Sequence, residues 1–324
     1  MLTSIFFILA GFALLIKAAD YLVDGASSIA KRFGISTLVI GLTIVAFGTS
    51  APELVVNVLA SISGSAELAL GNINGSTIAN ILLILGAAAM FGNIPVKSQT
   101  VIKEIPFMFL AGVVLVILLS DIALNGDPLA VLSRSDGLIL LTFFAIFMYY
   151  LFLTAKDAAG PAKEERPEMG LWKASGLTVM GLIGLILGGK LVVDGAVGMA
   201  LGLGISETLV GLTIVALGTS LPELVSSIAA VRKGEPDIAV GAVVGSNVFN
   251  ILMVLGLTST ISPIIVMKAS IVDTVVALAV MGLFFLLIFT RLGKNSVSRG
   301  LDPYEGIVLL MVYVAYISYT IFRG

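Results

Sequence analysis

The chain has 324 residues, of which 58% are hydrophobic and only 12% charged, with 18 Lys and Arg against 20 Asp and Glu. Soluble domains carry about 25% charged residues, so this thin scatter of charge reads as an integral membrane protein, and a net charge of −2 gives no footing for nucleic acid. Cysteine and histidine are both absent, which excludes disulfides, thiolate and imidazole chemistry, and soft-metal sites.

A spanning helix needs about 20 apolar residues to cross a hydrocarbon core of ~30 Å. Runs of that length recur from one end of the chain to the other. The first is predicted near residues 2–30; it lacks a basic leading segment and a small-residue cleavage site, so it reads as a permanent span. Further spans are predicted near 36–62, 67–91, 105–120 and 135–155. The stretch "AKDAAGPAKEERPEMG" at 155–170 is charged and holds two prolines, which marks a polar linker. Five more spans follow near 172–200, 206–231, 237–261, 270–290 and 304–322. The expected organisation is a first repeat over 1–155, a linker over 156–171 and a second repeat over 172–324.

The halves are copies. Shifted by 170 residues, "VDGA" (23–26) meets "VDGA" (193–196), and "GNINGSTIANILLILG" (71–86) meets "GAVVGSNVFNILMVLG" (241–256). "GLTIVAFGTSAPEL" (41–54) meets "GLTIVALGTSLPEL" (211–224), differing only at Phe47/Leu217 and Ala51/Leu221. A unit that crosses five times delivers its twin to the opposite face, so the copies are inverted about an axis in the membrane plane. With the N-terminus outside, thirteen Lys and Arg lie at the cytoplasmic face, four lie outside and Lys17 falls within the first span. The positive-inside rule then places both termini outside and the linker in the cytoplasm. The expected fold class is all-α integral membrane: ten transmembrane helices in two inverted five-helix repeats, with helices 2 and 7 broken.

The hexapeptides "GTSAPE" (48–53) and "GTSLPE" (218–223) lie deep in apolar spans. An ionised side chain there costs at least about 2.5 kcal/mol, and no Lys or Arg falls at matching depth, so Glu53 and Glu223 call for a cation. Thr49, Ser50, Thr219 and Ser220 add hydroxyl oxygens one turn earlier. Pro52 and Pro222 have no N–H, which frees a carbonyl four residues back. In the third span of each half, Ser76 and Asn80, and again Ser246 and Asn250, stand four apart on one helix face. Carboxylate, hydroxyl, amide and backbone oxygens are the ligands that Ca²⁺ and Na⁺ prefer. The inversion brings Glu53 opposite Glu223 at the bilayer centre, ringed by these eight polar side chains. Two carboxylates in one apolar cavity repel, and one Ca²⁺ or two monovalent ions relieve them equally, which is a physical basis for exchange. Hydroxyls in membrane helices also bond back to their own backbone, so two of the eight are expected to stand behind the ligands.

At these residues the chain resembles the cation/Ca²⁺ antiporters, in particular the sodium/calcium exchangers, through its paired GTS-x-PE and GS-x-x-x-N motifs. The resemblance implies a cell-membrane antiporter and no enzyme, with Ca²⁺ and Na⁺ as substrates, no resident cofactor, lipid around it and no required oligomer. It implies Glu53 and Glu223 as central ligands, with the eight polar side chains and the carbonyls of Ala46 and Ala216 contributing oxygens. It also implies that the first and sixth helices slide across a fixed core; Gly176, Gly181, Gly184, Gly188 and Gly189 suit a smooth sliding surface. Asn250 stands where K⁺-dependent relatives carry Asp, which argues against a K⁺ requirement. A H⁺/Ca²⁺ exchanger, or a K⁺-dependent Na⁺/Ca²⁺ exchanger, on the same scaffold is the alternative.

Among the remaining charges, Lys17 and Asp20 are spaced to pair on one helix face. Asp24, Lys190 and Asp194 read as interfacial or locally paired, and Asp121, Asp127 and Asp136 as surface charge.

Overall fold

The computed structural model describes residues 2–64, 66–126, 129–158, 169–203, 216–289 and 300–323. Helix α1 (Leu2–Phe33) is followed by α2 (Thr37–Thr49) and α3 (Ala51–Ile62), which meet at a bend of 46°. Next come α4 (Leu68–Ala89), α5 (Ser98–Leu118) and α6 (Arg134–Asp157). The second half runs through α7 (Leu171–Gly202), α8 (Ala216–Thr219), α9 (Leu221–Arg232), α10 (Pro236–Ile261), α11 (Ala269–Phe289) and α12 (Pro303–Arg323). Eight of these are long and apolar enough to cross a membrane singly, and the bent α2–α3 pair makes a ninth span. The tenth expected span, 206–231, enters the described residues only at Ala216 and continues as α8 and α9. The greater part of the linker, 159–168, also lies outside the described residues.

Burial sorts the helices into layers. The membrane stretch of α10 is 94% buried and that of α4 72%, against 17% for α6 and for α12. The third helix of each half is therefore the centre, and the fifth faces lipid. The halves interlock across it: α6 packs on the end of α10, and α12 on the end of α4. The loops repeat the exchange. Strand β1 (Ala130–Leu132) pairs antiparallel with β2 (Ile264–Val266), and a matching bridge joins Ile94 to Leu301. The 170-residue shift carries Ile94 to Ile264 and Leu301 to Val131, one residue from the register in which Ile264 meets Leu132, so the same loop contact recurs in both halves. These short strands are an addition to the all-α expectation.

Helices α4 and α10 are not regular. Each contains a π-helical turn, at Asn80–Ile84 and Phe249–Val254. Such turns leave no propensity signature and recur at functional sites. Helix α5 begins earlier than expected, at Ser98, and takes Glu104 into its buried face.

Helices α1 and α7 lie against each other along their length. A Cβ on Gly181 would stand 2.6 Å from Leu22 N, one on Gly184 2.7 Å from Ala18 Cβ, and one on Gly188 2.9 Å from Leu15 Cγ. On α1, a Cβ on Gly11 would meet the Gly188 carbonyl at 2.8 Å. This is close packing through small residues, as membrane helices use in place of a hydrophobic drive. It corrects the reading of these glycines as a sliding surface. Three of the five fasten α7 to α1, Gly176 meets open space, and Gly189 alone of the five faces the core, where a Cβ would stand 3.6 Å from Pro222.

Candidate ion-binding site

The break between α2 and α3 falls at Ser50, whose φ −84° and ψ 4° leave the helical region, and Ser220 repeats it at −89° and 1°. Pro52 and Pro222 sit in the first turn of the following helix, where an N–H is not needed. The first turns of α3 and α9 thus carry Glu53 and Glu223, each about 1–2% exposed. An anionic side chain at a helix start is favoured by the amide dipoles there.

The two carboxylates feel one another, and their hydroxyl partners cross between halves. Ser50 Oγ donates to Glu223 Oε1 at 3.2 Å. Thr49 also reaches Glu223, while Thr219 reaches Glu53. The sequence grouped each hydroxyl with the carboxylate of its own hexapeptide; the inverted packing instead brings Ser50 to Glu223 and Thr219 to Glu53. Thr49 Oγ1 bonds back to the carbonyls of Val45 at 3.0 Å and Ala46 at 3.4 Å. The Ala46 carbonyl also takes the Ser50 N–H at 3.0 Å. Ala216 opens α8.

Asn80 and Asn250 lie in the π turns of α4 and α10. The Asn80–Ile84 turn packs on α9, and the Phe249–Val254 turn on α3, so each turn meets the carboxylate helix of the other half. Ser76, Ser220 and Ser246 are buried beside them. Five buried oxygens in this group have no hydrogen-bond donor: Glu53 Oε2, Glu223 Oε2, Asn80 Oδ1, Asn250 Oδ1 and Ser246 Oγ. Buried polar atoms normally find partners, and each that does not demands a reason. These five come from both halves and include two carboxylates, which are the oxygen types of a candidate cage for a hard cation. Among the described residues no group of three or more Asp, Glu, His or Cys gathers anywhere, so the site offers two negative charges and a neutral remainder.

Around the cage, sequence reasoning missed several contacts. Asn57 Nδ2 donates to the Glu53 carbonyl at 2.7 Å, and Ser226 Oγ to the Glu223 carbonyl at 3.1 Å. Asn80 Nδ2 donates to Asn247 Oδ1 at 2.8 Å. A stripe of Glu53, Asn57 and Ser61 at four-residue spacing was visible in the sequence; Ser61 Oγ ends it on the Thr258 carbonyl at 3.0 Å.

Several charges outside the site are tied down. Lys17 lies over the Tyr21 ring at 5.1 Å rather than pairing with Asp20. Asp20 and Asp24 both meet Lys233, at 3.4 and 2.6 Å, while Ser27 Oγ and Lys31 meet Glu235 at 2.5 and 3.9 Å. Asp121 accepts from Val131 N at 3.0 Å and Asp136 from Ser133 N at 2.8 Å. The last two are loop anchors, not free surface charge; Asp127 lies outside the described residues.

The chain matches the family model described as sodium/calcium exchanger protein over residues 3–153 and 173–322. It is 40% identical to inner membrane protein YrbG of Escherichia coli (strain K12) over 81% of each chain. It is 35% identical to the sodium/calcium exchanger MaX1 of Methanosarcina acetivorans over 98% of each chain. Among solved structures, the sodium-calcium exchanger NCX_Mj soaked with Na⁺ and Sr²⁺ is similar at a TM-score of 0.80, with 31% identity and 98% of each chain covered.

Proposed function

This chain belongs to the sodium/calcium exchanger family, and on that premise we propose that it exchanges Na⁺ for Ca²⁺ by alternating access at the cage between Glu53 and Glu223. The observation that carries the proposal is the set of five buried, donorless oxygens contributed by both halves. Ca²⁺ cancels the two carboxylate charges in one step, and two Na⁺ cancel them as well. Either load makes the site neutral at midplane, whereas the empty site must carry unbalanced charge, at a cost of at least about 2.5 kcal/mol for each, or recruit protons to cancel it. Crossing loaded is therefore favoured over crossing empty, and that bias is what couples one ion's gradient to the other's movement. Ser50, Ser76, Ser220, Thr49, Thr219 and the carbonyls of Ala46 and Ala216 complete the proposed ligand field. Ser50 and Thr219 would turn their hydroxyl hydrogens away when a cation arrives, exchanging a hydrogen bond for an ion contact.

The orientation follows the distribution of Lys and Arg: both termini outside, with the 156–171 linker in the cytoplasm between repeats 1–155 and 172–324. The site's two acidic ligands, with Asn at 250, favour a mechanism without K⁺. Purified protein in liposomes tests the whole reading. An outward Na⁺ gradient is expected to drive ⁴⁵Ca²⁺ uptake, unchanged when K⁺ is removed. Uptake that answers only to a pH gradient would transfer the assignment to H⁺/Ca²⁺ exchange. Glu53→Gln and Glu223→Gln are each expected to cut uptake by about 100-fold or more, the scale of losing a charged ligand worth ~3 kcal/mol, while the detergent-purified protein stays monodisperse.

A further inference from the structure

Asn247 sits in the most buried helix of the molecule and contacts the cage, yet the duplication does not repeat it. The 170-residue shift places Thr77 in its mate's position. Asn247 is fully buried and links the halves: its Oδ1 accepts from Asn80 Nδ2 at 2.8 Å, and its own Nδ2 faces Met108 Sδ at 3.4 Å. An asparagine amide has one accepting end and one donating end. With the donating end of Asn80 held by Asn247, Asn80 Oδ1 is left buried without a partner. Turned over, the same amide would present two N–H hydrogens to an arriving cation and repel it.

The mate of Asn80 lacks this support. Asn250 Oδ1 is also buried and unpartnered, but Thr77 has no amide, and its hydroxyl makes no hydrogen bond. The residue matching Met108 is Leu278, which has no polar atom. The α4 stretch that carries Thr77 packs on the π turn that carries Asn250, so Thr77 occupies the place Asn247 holds in the other half.

Resting on the ion site proposed above, we infer that Asn247 is a positioning residue that locks the Asn80 amide with its oxygen free for the cation. The two halves of the site are thereby unequal: α4 supplies a pre-set amide oxygen and α10 one that must be oriented when the ion binds. Pre-setting a ligand removes an ordering cost from binding, so Asn247 acts on affinity and not on the rate of the loaded carrier.

The exchange of residues between the halves is the test. Ca²⁺ affinity is measured by calorimetric titration of the detergent-solubilised full chain, which does not depend on the coupling ion, and Ca²⁺ KM and maximal rate by uptake into liposomes. Asn247→Thr is expected to weaken Ca²⁺ binding and raise KM at least fivefold, with the maximal rate within twofold of wild type. The double variant Thr77→Asn/Asn247→Thr is expected to recover affinity to within twofold, because the amide pair is rebuilt behind Asn250. Unchanged affinity in the single variant, or a well-folded double variant that stays as weak as the single, overturns the inference. Should Asn247→Thr not fold, Asn247→Asp keeps both volume and acceptor oxygen. Affinity at or above wild type is then expected, and a severalfold loss overturns the inference. Glu53→Gln, run alongside, reports on the site itself: lost binding there with no effect at 247 sinks only the role of Asn247.

Discussion

At the scale of single residues, the hydroxyl of Ser50 belongs to the carboxylate of the other half. Its hydrogen bond to Glu223 crosses 173 positions of sequence, and hydrogen bonds to charged groups contribute about 1.5–3 kcal/mol. In the proposed site Ser50 gives this bond up for an ion contact, so Ser50→Ala removes a ligand oxygen and is expected to raise the Ca²⁺ KM by about tenfold, at 1.4 kcal/mol per decade, and to leave thermal stability within a few degrees of wild type. A variant with unchanged KM would remove Ser50 from the site. The carboxylates themselves were legible, because a charge inside an apolar span has few explanations. The partner of each hydroxyl was not, since nothing within a hexapeptide records which half it will face. Asn247 was equally hidden. Its position differs from Thr77 in plain view, but the difference gains meaning only from the 2.8 Å contact with Asn80.

At the scale of elements, the broken second span was legible and the π turns were not. Proline after Gly-Thr-Ser announces a break to any reading of backbone donors, and the 46° bend at Ser50 answers to it. The π turns at Asn80–Ile84 and Phe249–Val254 form from residues that suit a regular helix equally well; tertiary packing selects them. The glycines of α7 were legible as small but not as facing α1. Gly181→Val would place a branched side chain where even a Cβ falls 2.6 Å from Leu22 N. Overpacking of that kind costs about 1–3 kcal/mol, so the unfolding temperature in detergent is expected to fall by more than about 3 °C. Gly176→Ala, with nothing within 4 Å of its Cβ, is expected to change it by less than about 1 °C. Equal effects from the two substitutions would argue against the α1–α7 seam.

At the scale of the whole molecule, the inverted duplication was legible because three sequence blocks keep one spacing of 170 residues. The interlocking of the copies was not. Sequence suggested two units joined by a linker, whereas α6 packs on α10 and α12 on α4, so each half completes its fold on the other. The copies have also diverged along their matching faces. Asn57, Ser61 and Thr258 line the contact of α3 with the end of α10, while Ser227, Val231 and Ala88 line the corresponding contact of α9 with the end of α4. The molecule is symmetric in its backbone and asymmetric in its chemistry.

The crossing of Ser50 to Glu223 and of Thr219 to Glu53 has a consequence for the chain cut in two. Each fragment alone holds a carboxylate without its hydroxyl donor, and a third helix without the fifth that covers it. Expressed singly, neither fragment is expected to bind ⁴⁵Ca²⁺. Expressed together, with the break placed between residues 155 and 172, they are expected to reassemble and restore uptake to within about tenfold of the intact chain (~1.4 kcal/mol). Calcium retained by either fragment on its own would mean that the ion's ligands come from one half after all.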